Sequence, residues 1–240
     1  METRSIEYGA AHLPDGVRLY AVGDIHGRSD LLHRLLGHIE ADTAARGPAE
    51  TRLMFLGDYI DRGPDSPGVL DLLMEPRAWA RTTCLRGNHE DALLSFIKDP
   101  VETRFWIDWG GLSTLHAYGV PFVSDLYTMA HQLDRVLPDR HRAFLKGMPV
   151  RESVGDYLFV HAGVDPTRPF ARQDPFTLTT IREPFLNWGK PLEKIVVHGH
   201  TISSEPELLS WRIGIDTGAY ASGRLTALGL ESDRRWTLHT

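Results

Sequence analysis

Acidic, amide and imidazole side chains recur at five places along the chain, each just after a short apolar run. Asp24 and His26 stand two residues apart, and residues at this spacing in an extended chain point to the same side. Oxygen and nitrogen donors of these types together suit a first-row divalent metal ion. The other members of the set are Asp58, Asn88, His161 and His200. This set is too large for one catalytic ion with an open position, and a carboxylate can bridge a second ion. The pattern therefore favours paired metals of the kind used in phosphoryl transfer.

The apolar runs before these residues predict the strands that position them. Short runs of β-branched, aromatic and aliphatic residues bounded by turn formers are typical of strands. They cover residues 17–22, 52–56, 82–85, 157–160 and 194–197. About 30 residues separate Asp24 from Asp58 and Asp58 from Asn88, which is the spacing of parallel strands joined by crossover helices. Ligands of such sheets gather beyond the carboxyl ends of the strands, where all of these polar residues would meet.

The remaining segments complete an α/β fold, which we expect to be a single domain over residues 1–240. Apolar stripes predict one helix after Ser29 or Asp30 and another whose first turn contains Pro67. Residues 100–150 interrupt the alternation and indicate a helical insertion, with helices near residues 125–136 and 139–147. After Thr201, short alternating runs predict an antiparallel meander that finishes a mixed sheet.

Length, charge and cysteine content exclude several classes of protein. The chain has 240 residues, 42% hydrophobic and 24% charged, which is typical of a globular protein rather than a disordered or fibrous one. A formal net charge of −6 argues against broad binding of nucleic acid or of anionic membranes. Cys84 is the single cysteine, which excludes an internal disulfide. We recognise no secretory signal and no apolar run of membrane-spanning length, and we expect a cytoplasmic protein.

The motifs resemble those of a known enzyme family. In order they are Gly23-Asp24-Ile25-His26-Gly27, Gly57-Asp58-Tyr59-Ile60-Asp61-Arg62-Gly63, Gly87-Asn88-His89-Glu90, His161-Ala162-Gly163 and Gly199-His200-Thr201. The series resembles the calcineurin-like metallophosphoesterases, and more narrowly the bacterial and phage branch of the PPP-type serine/threonine protein phosphatases. The resemblance covers most of the chain and implies a sandwich of mixed β-sheets flanked by helices.

The resemblance also implies a site for two divalent metal ions. One ion would be held by Asp24, His26 and Asp58, and the second by Asp58, Asn88, His161 and His200. Mn²⁺ is the expected metal, with Fe, Zn, Ni, Co and Mg as alternatives. A hydroxide that bridges the two ions would attack phosphorus in line, so no covalent phosphoenzyme is required.

Five further residues match catalytic positions of the family. His89 would protonate the leaving oxygen as general acid, and Asp61 would orient its imidazole. Arg62 and Arg86 match the residues that clamp the phosphate, where a guanidinium fork fits the phosphoryl oxygens. Arg182, in Thr180-Ile181-Arg182-Glu183-Pro184, matches a third family arginine by position and by a loose local similarity.

The resemblance implies a phosphate ester as the substrate, and several kinds are compatible with the motifs. A serine/threonine or dual-specificity phosphatase that acts on a phosphorylated protein or peptide is the main expectation, because Asp61 and Arg62 are both present. The alternative is a hydrolase of dinucleoside polyphosphates, whose symmetrical members often replace that Asp and carry Asp in place of Glu90. A nucleic-acid phosphodiesterase is less compatible with the acidic charge. A non-enzymatic module that binds phosphoproteins is less compatible with an intact ligand set.

Several other residues receive structural interpretations. Glu90 is interpreted as a first-turn helix acid. His198 lies two residues before a ligand and is interpreted as a core residue or a support for that ligand. Cys84 is predicted to be a small core residue. Trp106 and Trp109 either pack the insertion against the sheet or form an aromatic wall over the metal site, and whether the insertion caps the site is left open.

Overall fold

The computed structural model describes residues 11–240, which form two mixed sheets of five strands each. The first sheet has the order β10-β9-β1-β2-β3 and the second the order β4-β5-β6-β8-β7. The strands are β1 (Val17–Val22), β2 (Glu50–Phe55), β3 (Arg81–Cys84), β4 (Arg151–Val154), β5 (Tyr157–Val160), β6 (Ile195–His198), β7 (Glu207–Leu208), β8 (Arg212–Gly214), β9 (Thr226–Glu231) and β10 (Arg234–His239). The predicted sandwich of mixed sheets is confirmed.

Helices cover the outer faces of the sheets. They are α1 (Ser29–Ala45), α2 (Ser66–Met74), α3 (Asn88–Lys98), α4 (Leu112–Ala117), α5 (Leu126–Val136), α6 (Asp139–Gly147), α7 (Pro175–Thr180) and α8 (Ala219–Ser222), with a π-helical turn at Ile107–Gly111 and a 3₁₀ turn at Phe170–Arg172. Across residues 11–240, no helix combines the length and the apolar character that a membrane crossing requires.

The parallel strands predicted from the motif spacing are present. β1 pairs in parallel with β2 and β2 with β3, and α1 and α2 are the crossover helices between them. Pro67 lies in the first turn of α2, and Asp65 caps that helix by accepting the Gly68 N–H. In the second sheet β5, β6 and β8 are parallel. The carboxyl ends of both parallel groups therefore carry the motif residues.

Alternate residues of the central strands face two different cores. Leu19 and Ala21 of β1 lie between the sheets with Phe159 of β5. Tyr20 and Val22 face the opposite way, into the core under the helices. Because successive side chains of a strand point to opposite faces, a continuous apolar run such as β1 is buried on both faces.

The predicted helical insertion is confirmed, and it packs on the helices of the first sheet. α5 and α6 lie at the predicted positions, and α5 contacts α3 while α6 contacts α2. Trp106, Leu115 and Leu133 from this segment are buried in the same core as α1 and α2. The insertion is thus anchored beside the strand ends that carry the motifs.

The segment after Thr201 differs from the predicted meander. β8 joins the second sheet in parallel with β6, whereas β9 and β10 form an antiparallel hairpin beside β1 in the first sheet. Ile213 of β8 and Leu228 of β9 are buried in the same layer between the sheets. The last strands therefore supply apolar side chains to this layer from both sheets. Helix α1 also begins earlier than expected, at Ser29 rather than after Ser29 or Asp30, and no side chain caps it.

Burial makes the Cys84 thiol a test of the fold. Cys84 is 7% exposed at the end of β3, and burial raises the pKa of its thiol to about 12. Since the thiolate is the reactive form, we expect the native protein at pH 7 to react with Ellman's reagent at least about a hundredfold more slowly than the urea-unfolded chain. The unfolded chain should titrate as one thiol, and rapid labelling of the native chain would contradict this burial.

Candidate active site

The carboxyl ends of both sheets converge on the predicted ligand set. Asp24 and His26 follow β1, Asp58 follows β2, and Asn88 opens α3 after β3. His161 follows β5 directly and His200 follows β6 after one residue. Backbone hydrogen bonds connect these ends: the Asp58 carbonyl accepts the Ile25 and His26 N–H groups, and the His161 carbonyl accepts the Gly199 N–H.

Four predicted donors form one compact cluster. His161 Nε2 lies 3.0 Å from Asn88 Oδ1, 3.1 Å from His200 Nδ1 and 3.3 Å from Asp58 Oδ1. Two ligands held at right angles by an ion with bonds of about 2.1 Å are about 3 Å apart. The spacing therefore fits the coordination shell of one divalent ion, as the resemblance implied for the second metal.

A second cluster lies on the other oxygen of Asp58, and its membership differs from the expected one. His26 Nε2 and His89 Nε2 each lie 3.7 Å from Asp58 Oδ2, and these three residues form a second group that could hold an ion. Asp24 belongs to neither group: its carboxylate accepts the His200 N–H at 3.0 Å. The role of Asp24 as a ligand stays a prediction.

Backbone carbonyls determine which imidazole nitrogens face the clusters. Nδ1 of His26 lies 2.8 Å from the Ile60 carbonyl, and Nδ1 of His161 lies 2.9 Å from the Leu56 carbonyl. A carbonyl only accepts, so each Nδ1 carries a hydrogen, and Nε2 is the ring nitrogen that faces the site. Metal-binding histidines are commonly oriented by such carbonyls.

The backbone around the site is strained and tightly packed. Five of the six non-glycine residues with positive φ in residues 11–240 lie here, namely His26, Asp58, Asp61, Arg62 and His200. A Cβ at Gly87 would collide with the Asp58 carboxylate, and one at Gly199 with the Asp24 carboxylate. Strained backbone of this kind persists where the surrounding structure enforces it, and it concentrates at functional sites.

The charges of the site depend on one another. Burial raises the pKa of Asp58, but the His161 and His89 imidazoles outweigh it and hold the pKa well below its usual range. Burial likewise opposes protonation of His161, yet the Asp58 carboxylate raises the pKa of that imidazole to about 10. The carboxylate thus attracts a positive charge into the centre of the cluster, where a divalent ion would supply it.

The other imidazoles are held neutral, as ligands must be. Burial lowers the pKa of His26 to about 3, and burial together with His161 lowers the pKa of His200 to about 3. Burial, followed by the neighbouring Asp216 carboxylate, raises the pKa of Asp24 well above its usual range. Neutral imidazoles beside carboxylate and amide oxygens are suitable ligands for divalent ions, and His26 and His200 supply no positive charge of their own to balance the carboxylates.

His89 and Asp61 form a buried pair, as the resemblance implied. His89 Nδ1 lies 2.6 Å from Asp61 Oδ2, which also accepts the Trp106 indole N–H at 2.7 Å. The Thr114 hydroxyl donates to Asp61 Oδ1 at 2.6 Å. Burial opposes protonation of His89, but Asp58 and Asp61 outweigh it and raise its pKa. A protonated His89 with Nε2 facing the centre suits proton donation to a leaving oxygen.

Glu90 has the structural role expected of it. Its carboxylate accepts the N–H groups of Gly87, Asp58 and Tyr59 at 2.8–2.9 Å and is fully buried. One side chain therefore connects the turn after β2 to the turn after β3. His198 is also structural: it is fully buried, and Arg212 donates to its Nε2 at 3.3 Å.

The three predicted arginines are placed differently. Arg62 Nη1 lies 3.0 Å from His26 Nε2 and Nη2 lies 3.4 Å from His89 Nε2, so this guanidinium contacts the site directly. Arg182 faces the same cavity and donates to the His200 carbonyl. Arg86 instead binds Asp91 and the Lys146 and Met148 carbonyls and does not line the cavity. The structure gives Arg86 a contact with the insertion, and its role as a phosphate clamp stays a prediction.

A cavity of about 530 Å³ opens beside the ligand set. Asp58, Asn88, His89 and His200 form its floor together with Arg62 and Arg182, and Phe105, Trp109, Phe176 and Thr180 complete its lining. The Trp109 ring lies 5.6 Å from the His89 ring between centroids. Both interpretations of the tryptophans are thus realised, because Trp106 packs in the core while Trp109 borders the site.

Sequence reasoning missed several residues of the site. Thr114 and Phe176 lie in segments with no recognisable motif, and only the fold brings them near Asp61 and the cavity. Asp216 follows the parallel strand β8 after one residue, as His200 follows β6, and burial, followed by the Asp216 carboxylate, raises the pKa of Asp24. Tyr220 was also missed: its ring lies under the Arg62 guanidinium at 4.7 Å.

These features agree with the comparisons to known proteins. A family model described as calcineurin-like phosphoesterase matches residues 17–221. The protein therefore belongs to the calcineurin-like phosphoesterase family, whose members are metal-dependent hydrolases with a dinuclear centre. A crystal structure of a candidate diadenosine tetraphosphatase has the same fold, with a TM-score of 0.64 and 24% identity, covering 96% of this chain and 98% of that one.

The similar curated proteins are of two kinds. The symmetrical bis(5'-nucleosyl)-tetraphosphatase of Dechloromonas aromatica is 33% identical over 71% of this chain and 55% of its own length. The asymmetrical enzyme of Anoxybacillus flavithermus is 25% identical over 86% of this chain and 88% of its own. Serine/threonine-protein phosphatase 1 of Salmonella typhimurium is 34% identical over 52% of this chain and 54% of its own. The chain thus spans about half the length of the first and third of these relatives.

The arrangement can carry out metal-assisted hydrolysis of a phosphate ester. Asp58, Asn88, His161 and His200 would hold one ion, and Asp58 with His26 would hold the other. Bound ions supply positive charge to the phosphoryl oxygens and a nucleophile at neutral pH. Arg62 and Arg182 would bind the phosphoryl oxygens from the cavity side, and His89 would donate its Nε2 proton to the leaving oxygen.

The dependence of both clusters on Asp58 is testable by substitution. Asp58→Asn keeps the size of the side chain and tolerates left-handed backbone, but it removes the charge that both clusters share. We expect the Mn²⁺ content of the loaded protein to fall from about two ions per chain toward none. Mass spectrometry of the dialysed protein measures it. His131→Ala, an exposed histidine of α5, is the matched control, and an unchanged metal content in D58N would contradict the bridging role.

The role of His89 is separable from metal binding. His89→Asn should lower kcat for phenyl phosphate by about 10²–10⁴-fold while leaving the metal content unchanged. Loss with p-nitrophenyl phosphate should be smaller, because its leaving oxygen needs less help from an acid. Loss of an ion would instead make His89 a ligand, as its place in the His26 and Asp58 group allows. Equal losses with both substrates would exclude an acid role.

Proposed function

We propose that this protein is a metal-dependent hydrolase of dinucleoside polyphosphates, which cleaves a phosphoanhydride bond. The carrying observation is that bis(5'-nucleosyl)-tetraphosphatases of both the symmetrical and asymmetrical kinds align with 71% and 86% of the chain. The sequence motifs alone favoured a protein phosphatase, and these relatives support the alternative better. We propose Mn²⁺ as the metal.

The cavity supports a small-molecule substrate. At about 530 Å³ it lies within the usual range of ligand pockets and is larger than a single phosphate group needs. It combines two arginines at its floor with apolar and aromatic side chains on its wall. A nucleotide matches this combination, because one end of it is anionic and the other is a flat aromatic base.

The chain's own groups account for the bond that breaks. The oxygen of a water molecule forms a bond to phosphorus and gives up a proton to solvent, while the bond from phosphorus to the bridging oxygen breaks. The electron pair of that bond stays on the bridging oxygen, which receives the proton from His89 Nε2. Arg62 and Arg182 stabilise the charge that develops on the other phosphoryl oxygens.

The residues that favoured a protein phosphatase have structural explanations. Asp61 holds His89, and Glu90 connects two turns through three backbone N–H groups. Both side chains are fully buried in this protein and act through His89 and the backbone. A serine/threonine phosphatase is the second candidate, and the relative from Salmonella typhimurium, 34% identical over 126 residues, specifically favours it.

A direct comparison of substrates tests the proposal. With Mn²⁺, we expect kcat/KM for diadenosine tetraphosphate to exceed that for a phosphoserine peptide by at least about tenfold, or about 1.4 kcal/mol in transition-state stabilisation. Chromatography of the nucleotide products also distinguishes two ADP from ATP plus AMP. The Asp58→Asn variant controls for contaminating phosphatases. Turnover of the peptide without turnover of the dinucleotide would overturn the proposal in favour of the second candidate.

A further inference from the structure

An aromatic surface borders the site beside His89 and has no role in the chemistry described so far. It consists of Phe105, Trp109 and Phe176, and we call it the aromatic wall. Phe176 is 74% exposed and Phe105 and Trp109 are each nearly 40% exposed. Exposed aromatic side chains grouped in a cavity indicate a ligand-binding surface rather than packing.

The wall is built by two separate parts of the chain. Phe105 and Trp109 belong to the insertion, where their ring centroids lie 4.6 Å apart. Phe176 belongs to α7, between the second sheet's ligands His161 and His200. Aromatic side chains that two parts of the chain bring to one cavity suit a flat ring, because every nucleobase has a π-face to stack.

The insertion half of the wall is attached to the phosphate-binding arginine. The Trp109 carbonyl accepts the Arg62 Nε–H at 3.3 Å, and the Gly110 carbonyl accepts the Arg62 N–H at 3.2 Å. Gly110 has a φ of 111°, and a Cβ there would collide with the Arg62 side chain. Only glycine allows this close approach, so the insertion half of the wall is attached closely to Arg62.

The position of the wall assigns it to one end of the substrate. Trp109 packs against His89, with ring centroids 5.6 Å apart. His89 donates its proton to the oxygen that leaves, so the fragment next to Trp109 is the leaving one. We infer that the aromatic wall stacks on the base of the leaving nucleotide and so selects nucleotide substrates, an inference that rests on the proposed dinucleoside polyphosphate hydrolysis.

Two variants of the wall test this inference against a substrate without bases. Phe176→Ala and Trp109→Leu should each lower kcat/KM for diadenosine tetraphosphate by about 5- to 150-fold, the fold-change that matches the stacking of one base. Most of the loss in Phe176→Ala should be in KM. Inorganic tripolyphosphate has the same phosphoanhydride bond and no base, and its kcat/KM should fall much less. Phe122→Ala is the matched control, because Phe122 is 70% exposed on the insertion and does not line the cavity.

A binding measurement separates the inference from the proposed function. Calorimetry with ADP should show a Kd weakened by the same factor in both wall variants and not in Phe122→Ala. The wall has no role in base binding if the wild type hydrolyses the dinucleotide and the variants show equal losses of kcat/KM for the dinucleotide and for tripolyphosphate. The same conclusion follows if the variants show no loss with either substrate. If the wild type does not hydrolyse the dinucleotide, the proposed function fails, and the inference fails with it unless ADP binding still depends on the wall. Loss confined to a phosphopeptide substrate would assign the wall to peptide side chains and overturn it.

Discussion

The Asp58 carboxylate is the group on which the site and the sandwich depend together. It is 2% exposed, and each of its oxygens faces different imidazoles, His161 on one side and His26 and His89 on the other. A buried carboxylate costs several kcal/mol unless positive charge and hydrogen bonds compensate it. His161 follows a strand of the second sheet, whereas His26 and His89 follow strands of the first, so the carboxylate has partners from both sheets. The same interaction that would hold the ions therefore also links the two sheets.

Strain at this point is maintained by neighbours that are themselves buried. Asp58, His26 and Asp61 adopt left-handed backbone, which is unfavourable for side chains with a Cβ. Glu90 compensates part of that cost by accepting three backbone N–H groups around Asp58. Neighbouring residues of the Gly87-Asn88-His89-Glu90 motif therefore differ in role. Asn88 and His89 face the site, while Glu90 keeps the turns in place.

The helical insertion is part of the site rather than a decoration of the fold. Trp106 and Thr114 bind the Asp61 carboxylate that orients His89, and Trp109 and Gly110 bind Arg62. Asp61 and Arg62 are therefore both held by residues that follow them by about fifty positions, and Asp61 in turn orients His89. The insertion also supplies Phe105 and Trp109 to the cavity wall.

The sequence by itself determined the strand-end motifs, the parallel order of β1, β2 and β3, and the chemistry of the donor set. These features are local, since a strand followed by Gly-Asp or Gly-His carries its polar side chain at the carboxyl end wherever the sheet lies. Tertiary structure alone decided the rest. It directed Arg86 to the insertion, placed His89 beside His26 on one oxygen of Asp58, divided the last strands between two sheets, and brought Phe176 to the same cavity as Trp109. Each of these outcomes depends on packing between residues distant in sequence, and no periodicity or motif encodes such contacts.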